Sequence, residues 1–388
     1  VTSTRPSLNE RLTDSQRKWL QIREFLDEKR FGLGRAAARL YPDRPTIGPT
    51  PLLSERRWRP AAPVPLSDLT IDLEPNRAVR ESFADVAAAV VLPERPDGAR
   101  YESYSEAMTE LTGRAFDNRG TYRLQAAHLR GVGRLAFGLG HYFDGLDVGE
   151  AAAHEFAAVR LGLLADDAQR IRRAIGDPCD PARRPINVAI STLTLRHDRA
   201  TPETTCLLHW RDPNKVGHAG GLYQVLPTGV FQAAGAAQWN LHNDFDLWRS
   251  MIREYAEELL GEDEDYGAER APIDYAAWPF AAAMTRGLGD GSIRAFVLGL
   301  GVDPLTLATD LLTVVVIDAG LYDKLFDEVI AVNEEGRVLS SVDDHHTSAY
   351  GIPFTAEMVS RFIDDEPMQA AGAAVLWSAW EQRAFLLD

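Results

Sequence analysis

Three strand-like runs and one amphipathic helix pattern limit what this chain can become. Ile186 to Leu195 (Ile-Asn-Val-Ala-Ile-Ser-Thr-Leu-Thr-Leu) alternates and is β-branched, which predicts a strand, and Arg294 to Leu300 and Leu311 to Asp318 read as two further strands. Thr205 to Trp210 and Leu222 to Leu226 are expected to continue the same sheet. Trp248, Met251, Ile252, Tyr255 and Leu259 recur at helical spacing, which makes one buried stripe on a helix. Ala356 to Ile363 and Met368 to Leu387 predict two more helices, with Trp377 and Trp380 placed to pack on the sheet. A sheet must bury its apolar faces against another layer, so the expected class is α+β.

The helix around Tyr255 also carries chemistry. Glu254, Glu257 and Glu258 lie within one turn of each other and flank its apolar stripe. Like charges at this spacing destabilise an isolated helix by roughly 0.2–0.5 kcal/mol per pair, and a cation among them reverses the sign. Oxygen ligands of this kind suit Mg²⁺, which is held by a few carboxylates together with water and substrate phosphates. The bland alternative is a solvated acidic face in which Arg253 pairs with Glu257 at i,i+4.

Upstream lie Leu208-His209-Trp210-Arg211-Asp212-Pro213-Asn214-Lys215-Val216, then Gly220-Gly221-Leu222-Tyr223, then Pro227-Thr228-Gly229. Followed by Arg253-Glu254-x-x-Glu257-Glu258, this order resembles the Nudix hydrolase family. Its pattern is a strand ending in an R-D-like turn, G-G-x-W/Y, a P-G-G-like turn, and the box G-x5-E-x7-R-E-U-x-E-E-x-G-U, where U is aliphatic. The resemblance covers about residues 185–318. It implies an α/β/α sandwich around a mixed sheet, with Glu254, Glu257 and Glu258 as ligands of Mg²⁺ or Mn²⁺. One glutamate would be the general base, and Arg253 would orient the cluster through a salt bridge. A later loop can supply a further acidic residue, which makes Asp303 and Asp310 candidates.

The box is altered in several places. Gly235 stands where its first glutamate belongs, and 17 residues separate Gly235 from Arg253 where the pattern has seven. The surplus is Ala236 to Asp246, and Gly229 to Asp246 is expected to form a long excursion between sheet and helix that borders the pocket. Within it Asn243, Asp244 and Asp246 can reach a substrate, although Asp244 or Asp246 also suits a helix N-cap. Tyr255 replaces an aliphatic residue, and Gly261 comes one position late.

Residues 13–40 begin at a capping sequence, Thr13-Asp14-Ser15, and predict one or two helices. Gly32-Leu33-Gly34-Arg35-Ala36-Ala37 superficially matches a dinucleotide turn, but a charged helix pattern precedes it instead of an apolar strand, so a break between two helices is expected. From Tyr41 to Pro75 recurrent prolines keep most of the segment out of helices and central strands. Leu52, Leu53, Trp58, Val64, Leu66 and Leu69 make this an arm laid across this chain or a partner, a second copy included. Pro93 to Gly98 marks a boundary. Tyr101 to Leu164 reads as a short helix, two strands and an alanine-rich helix, a β-β-α unit. The expected organisation is thus 1–98 for the helical segment and proline-rich arm, 99–180 for the β-β-α unit, and 181–388 for the Nudix-like region with its C-terminal helices.

Several motifs are weaker. His154-Glu155 lacks the second histidine of a zinc peptidase, since residue 158 is alanine, and a helix-surface histidine with a local partner is expected. His128 and His141 are taken as structural. Glu262 to Asp265 reads as a solvated exit loop, and Asp343-Asp344-His345-His346 as a polar surface loop.

A net charge of −16 disfavours nucleic acid as a partner. Two cysteines are too few for a disulfide framework, which suits a reducing cytoplasm. No apolar run reaches the length a membrane helix needs, so no membrane partner is expected. The resulting functional expectation is a metal-dependent hydrolase of a nucleoside-diphosphate-linked compound. The alternatives are a Nudix-like sensor that binds a nucleotide-type ligand without cleaving it, and an assembly protein using the arm. The whole chain is also similar to uncharacterised bacterial proteins, some with a helix-turn-helix before a similar C-terminal region, but it shows no evident recognition helix.

Overall fold

The computed structural model describes residues 12–79, 84–113, 117–165, 167, 169–201, 203–211, 220–262, 266–326, 336–339 and 351–388. Its central sheet runs in the order Val64–Pro65, Ile293–Val302, Thr309–Asp318, Val188–His197, Thr204–Cys206, Ile352–Pro353, and Thr228–Val230 also pairs with Val188–His197. Thr309–Asp318 and Val188–His197 are parallel while the other pairings are antiparallel. The two central strands are buried on both faces, which is why they read as nearly continuous apolar runs. Leu311, Val315 and Ile317 join the core that contains helix Leu247–Leu260. Leu312, Val314 and Val316 join the core on the opposite face, built with helix Ala370–Glu381. The chain is therefore α+β, with helices on both faces of a mixed sheet.

One expectation about the sheet needs correcting. Thr204–Cys206 belongs to it, but Leu208–Arg211 and Tyr223–Val225 pair with each other and with Gly336–Leu339 in a separate three-stranded sheet. The change of sheet occurs at Leu207, a buried residue between two short strands.

The N-terminal segment is one helix, Asp14–Ala38, opened by a capping box between Thr13 and Gln16. It runs through Gly32 and Gly34, contrary to the expected break. Each interior glycine costs about 1 kcal/mol of helix propensity, and packing outweighs this: Leu26, Leu33 and Ala37 meet Ala153, Phe156 and Ala157 of helix Tyr142–Arg160. The same contact buries charge. Arg23 and Arg30 both pair with Glu150 and with Asp27, and Arg23, Arg30 and Glu150 are each at most 5% exposed. His154 is likewise not on the surface. Its Nδ1 lies 3.0 Å from the Tyr104 hydroxyl and its ring stacks on Trp19. Burial, reinforced by Arg23, pushes its pKa down to about 3.

The proline-rich arm is ordered against this chain. Leu53 and Val302 exchange both backbone hydrogen bonds, at 2.9 and 2.8 Å, and Val64 pairs with Val297. Leu52, Leu53 and Trp58 are completely enclosed. The expected β-β-α unit forms from Gly120–His128, Arg134–His141 and Tyr142–Arg160, with Thr70–Leu73 of the arm added in parallel. Trp19, Tyr104, Leu124 and Tyr255, from all three expected stretches, meet in one hydrophobic core. Helices Ala356–Asp364 and Ala370–Glu381 form as anticipated, with Trp377 and Trp380 packed on the second core. Among the described residues no helix is long and apolar enough to cross a membrane.

Candidate functional site

Helix Leu247–Leu260 starts where the Asp246 carboxylate accepts from Arg249 N at 3.0 Å, and it ends at Gly261 in the left-handed region. Gly261 thus serves as the helix stop, since the chain must turn there at a φ of 68°. Its apolar stripe lies on the sheet, and the Tyr255 hydroxyl finds a partner there. Thr194 Oγ donates to Leu226 O at 2.8 Å, so the Tyr255 hydroxyl, 2.6 Å from Thr194 Oγ, donates to it. That bond fixes the helix to the central strand.

The three glutamates lie along the side of the helix that runs beside strand Thr228–Val230. Glu258 is 4% exposed, and its Oε1 accepts from Thr228 N at 3.1 Å. Glu254 is half-buried with its carboxylate pressed on Gly229: a Cβ there would stand 1.9 Å from Glu254 Cδ. A side chain at this position would displace the Glu254 carboxylate. Glu257, also half-buried, lies toward Tyr266. Burial pushes the Tyr266 phenol up, with Glu257 and then Glu254 adding to it, and the phenol donates to Arg253 O at 3.1 Å. Strand edge, glycine, two accessible carboxylates and a phenol therefore share one place. Among the described residues no group of three or more His, Cys, Asp or Glu side chains is arranged as a metal-ligand set.

Arg253 is anchored by groups other than the glutamates, with Glu254 near enough to help hold its pKa up. It is 5% exposed and donates to the Tyr275 hydroxyl at 2.5 Å and to Gln232 O at 2.6 Å. Among the described residues its ion pair is with Asp244 at 3.7 Å, and not with Glu257 or another member of the cluster. Burial acts to lower its pKa, but Tyr275 and Asp244 more than offset this and hold it up. Asp244, wholly enclosed, also accepts from Tyr275 at 2.9 Å and from Ala234 N at 2.8 Å. A carboxylate from the segment between Ala236 and Asp246 thus reaches the arginine. That segment is an excursion as expected, with a short helix Asn240–Asn243. Asp244 was named from the sequence only as a substrate contact or cap, and Tyr266 and Tyr275 carried no signal in their spacing.

Compared with known proteins, the chain matches no family model and no curated protein. The local geometry therefore carries the functional reading. Of the two extra acidic candidates, Asp303 caps its own turn by accepting from Leu305 N and Thr306 N, both at 2.8 Å. Asp310 alternates with Leu312 and so sits on the sheet face opposite helix Leu247–Leu260, bonded to Ser191. Neither joins the glutamates. Residues 212–219, 263–265 and 340–350, which include Asp212, three of the four exit-loop acids and Asp343 to His346, lie outside the described residues.

Proposed function

We propose that the chain is a divalent-cation-dependent hydrolase of a diphosphate linkage in a nucleotide-type substrate. The observation that supports this best is the placing of Glu254 and Glu257, both half-buried, beside Tyr266 and against a glycine strand edge. The donor set fits the ion, because Mg²⁺ or Mn²⁺ takes hard oxygen ligands and one or two carboxylates suffice when substrate phosphates complete the shell. Glu254 and Glu257 would hold it, with Glu258 adjoining. The ion would supply charge stabilisation at the phosphoryl oxygens. The chain's own contribution is positional: Glu258 ties helix to strand through Thr228 N, and Asp244 and Tyr275 fix Arg253 and with it the helix register. A carboxylate of the cluster would take the proton of the water that adds to phosphorus as the bridging P–O bond breaks. A nucleotide pool is cytoplasmic, in keeping with Cys179 and Cys206 being buried free thiols.

Purified protein with Mg²⁺ or Mn²⁺ is expected to turn over at least one of a panel of nucleotide sugars, dinucleoside polyphosphates and nucleoside triphosphates. Glu257→Gln should reduce turnover by about 10²-fold or more and leave the melting temperature within a few degrees. A second reading, a nucleotide sensor, is favoured by one feature, the glycine at position 235 where the Nudix pattern has a glutamate. No turnover of any panel member, with chelator-insensitive binding of one of them, would establish the sensor and remove the hydrolase.

A further inference from the structure

The segment before helix Leu247–Leu260 presents one side chain that packing does not account for. Trp239 is 45% exposed, yet its indole N–H is not left to water, since Nε1 donates to Ala268 O at 3.0 Å. A partly exposed indole ordinarily does the reverse, with its polar edge wet and its ring covered. The position is fixed by further bonds. Asn240, fully enclosed, donates through Nδ2 to the same Ala268 carbonyl at 3.1 Å, and Ala236 N donates to Glu269 Oε1. A Cβ on Gly235 would stand 2.5 Å from that Glu269 oxygen, so the two stretches of chain run in close contact. The indole is therefore held in one place while much of its ring remains in water. The same turn leads to the glutamates. Ala268 is two residues on from Tyr266, a separation of at most about 7 Å, and Tyr266 donates to Arg253 O with Glu257 and Glu254 the charges that act on it most. Glu269, exposed, spends Oε1 on Ala236 N, and among the described residues its Oε2 has no partner.

We propose that Trp239 is the platform on which the base of the nucleotide-type substrate stacks, with Glu269 reading the edge of that base. This rests on the glutamate site being a nucleotide site, and it places selectivity for the base in the segment before the helix. Every base has a π-face, so an aromatic ring held in one orientation binds it by stacking, and the Nε1 bond holds this ring. An ionised carboxylate only accepts hydrogen bonds. Glu269 thus favours a base with an exocyclic amine, as in adenine, over uracil, which shows a carbonyl oxygen at the corresponding edge. With the base on Trp239, the phosphates run past Tyr266 toward Glu257 and Glu254.

The test is calorimetric titration of the full chain with Mg²⁺ and three probes that contain no diphosphate linkage: adenosine 5′-monophosphate, uridine 5′-monophosphate and ribose 5-phosphate. The adenosine compound should bind most tightly and the base-free sugar phosphate most weakly. Trp239→Ala should weaken adenosine monophosphate by about tenfold or more and leave ribose 5-phosphate unaltered. Trp239→Phe keeps a ring but not the bond to Ala268 O, and should recover most of the affinity. If it binds as weakly as Trp239→Ala, the tryptophan only anchors the turn and the proposal is overturned. Glu269→Gln keeps an oxygen for Ala236 N but turns N–H groups toward the ligand, so it should narrow or invert the preference for adenosine over uridine monophosphate. Equal binding of the three probes, no binding of any, or adenosine monophosphate binding that survives Trp239→Ala would each overturn the proposal. For any base-containing substrate that is turned over, Trp239→Ala should raise KM about tenfold and change kcat by less than about twofold. The two readings fail separately: Trp239-dependent binding without turnover removes the hydrolase and keeps the platform, whereas turnover with a KM unmoved by Trp239→Ala does the opposite.

Discussion

Glu150→Ala is expected to destabilise the fold by about 3–5 kcal/mol, the range found when one partner of a buried charge pair is removed. Glu150 is the carboxylate between Arg23 and Arg30, and both guanidinium groups are enclosed. Without it, Asp27, itself about one-third exposed, would balance two buried cations alone. Burial lowers the pKa of both arginines, and Glu150 is the largest single factor raising each again. Neither can relieve the loss by losing its proton, because an arginine stays charged at any ordinary pH. The site cannot easily collapse either, since Trp19, Tyr104 and His154 form a closed aromatic cluster next to it. Urea unfolding followed by tryptophan fluorescence would measure the cost. A loss below about 1 kcal/mol would mean that water reaches these arginines and that they behave as surface ions. Replacing Arg23, Arg30 and Glu150 together by apolar residues of similar volume is expected to cost far less.

The contrast between this cluster and the glutamate helix shows what the sequence could and could not convey. Helix Leu247–Leu260 was legible because its apolar stripe, its Asp246 cap and its Gly261 stop are all local, and local periodicity is what a sequence displays. The same holds for Val188–His197 and Thr309–Asp318. Arg23, Arg30 and Glu150 were not legible as a buried unit, because in sequence they are ordinary charges about 120 residues apart and only docking of two helices removes them from water. The N-terminal helix was misread for the same reason: Gly32 and Gly34 break a helix on propensity alone, and a partner helix holds it together. His154 was placed on a surface that the Trp19 and Tyr104 rings cover. At the candidate site the three glutamates were visible and their surroundings were not. Spacing could mark the glutamates along the helix, but not that Asp244 would approach Arg253 from the segment before it.

Asp310→Asn is expected to stabilise the protein by an amount that grows with pH. Asp310 is 6% exposed, and burial pushes its pKa up from the usual 3.8 to about 7, against the Ser191 Oγ bond, which favours the ionised form. A folded-state value above the unfolded one means that the folded chain holds a proton the unfolded chain releases. The contribution is therefore complete below about pH 4 and is lost as pH rises through 7, a change of about 4 kcal/mol at 1.36 kcal/mol per pKa unit. His154 acts in the opposite direction over an overlapping range. Held neutral by burial, it charges only in the unfolded chain between about pH 6.5 and 3, so its contribution is lost as pH falls. The two slopes nearly cancel between pH 4 and 6.5 in the natural chain, and a stability profile of that chain alone conceals both. The difference between Asp310→Asn and the natural chain isolates one of them. Asparagine cannot ionise and keeps an oxygen for the Ser191 hydroxyl, so the difference should start from a constant offset near pH 4, rise by up to about 1.4 kcal/mol per pH unit, and level off above pH 7. Urea unfolding of both proteins at several pH values measures it directly. A difference that stays flat from pH 4 to 8 would show that Asp310 is ionised throughout and that the polar chain from Ser191 through Gln224 to Gln369 carries its charge.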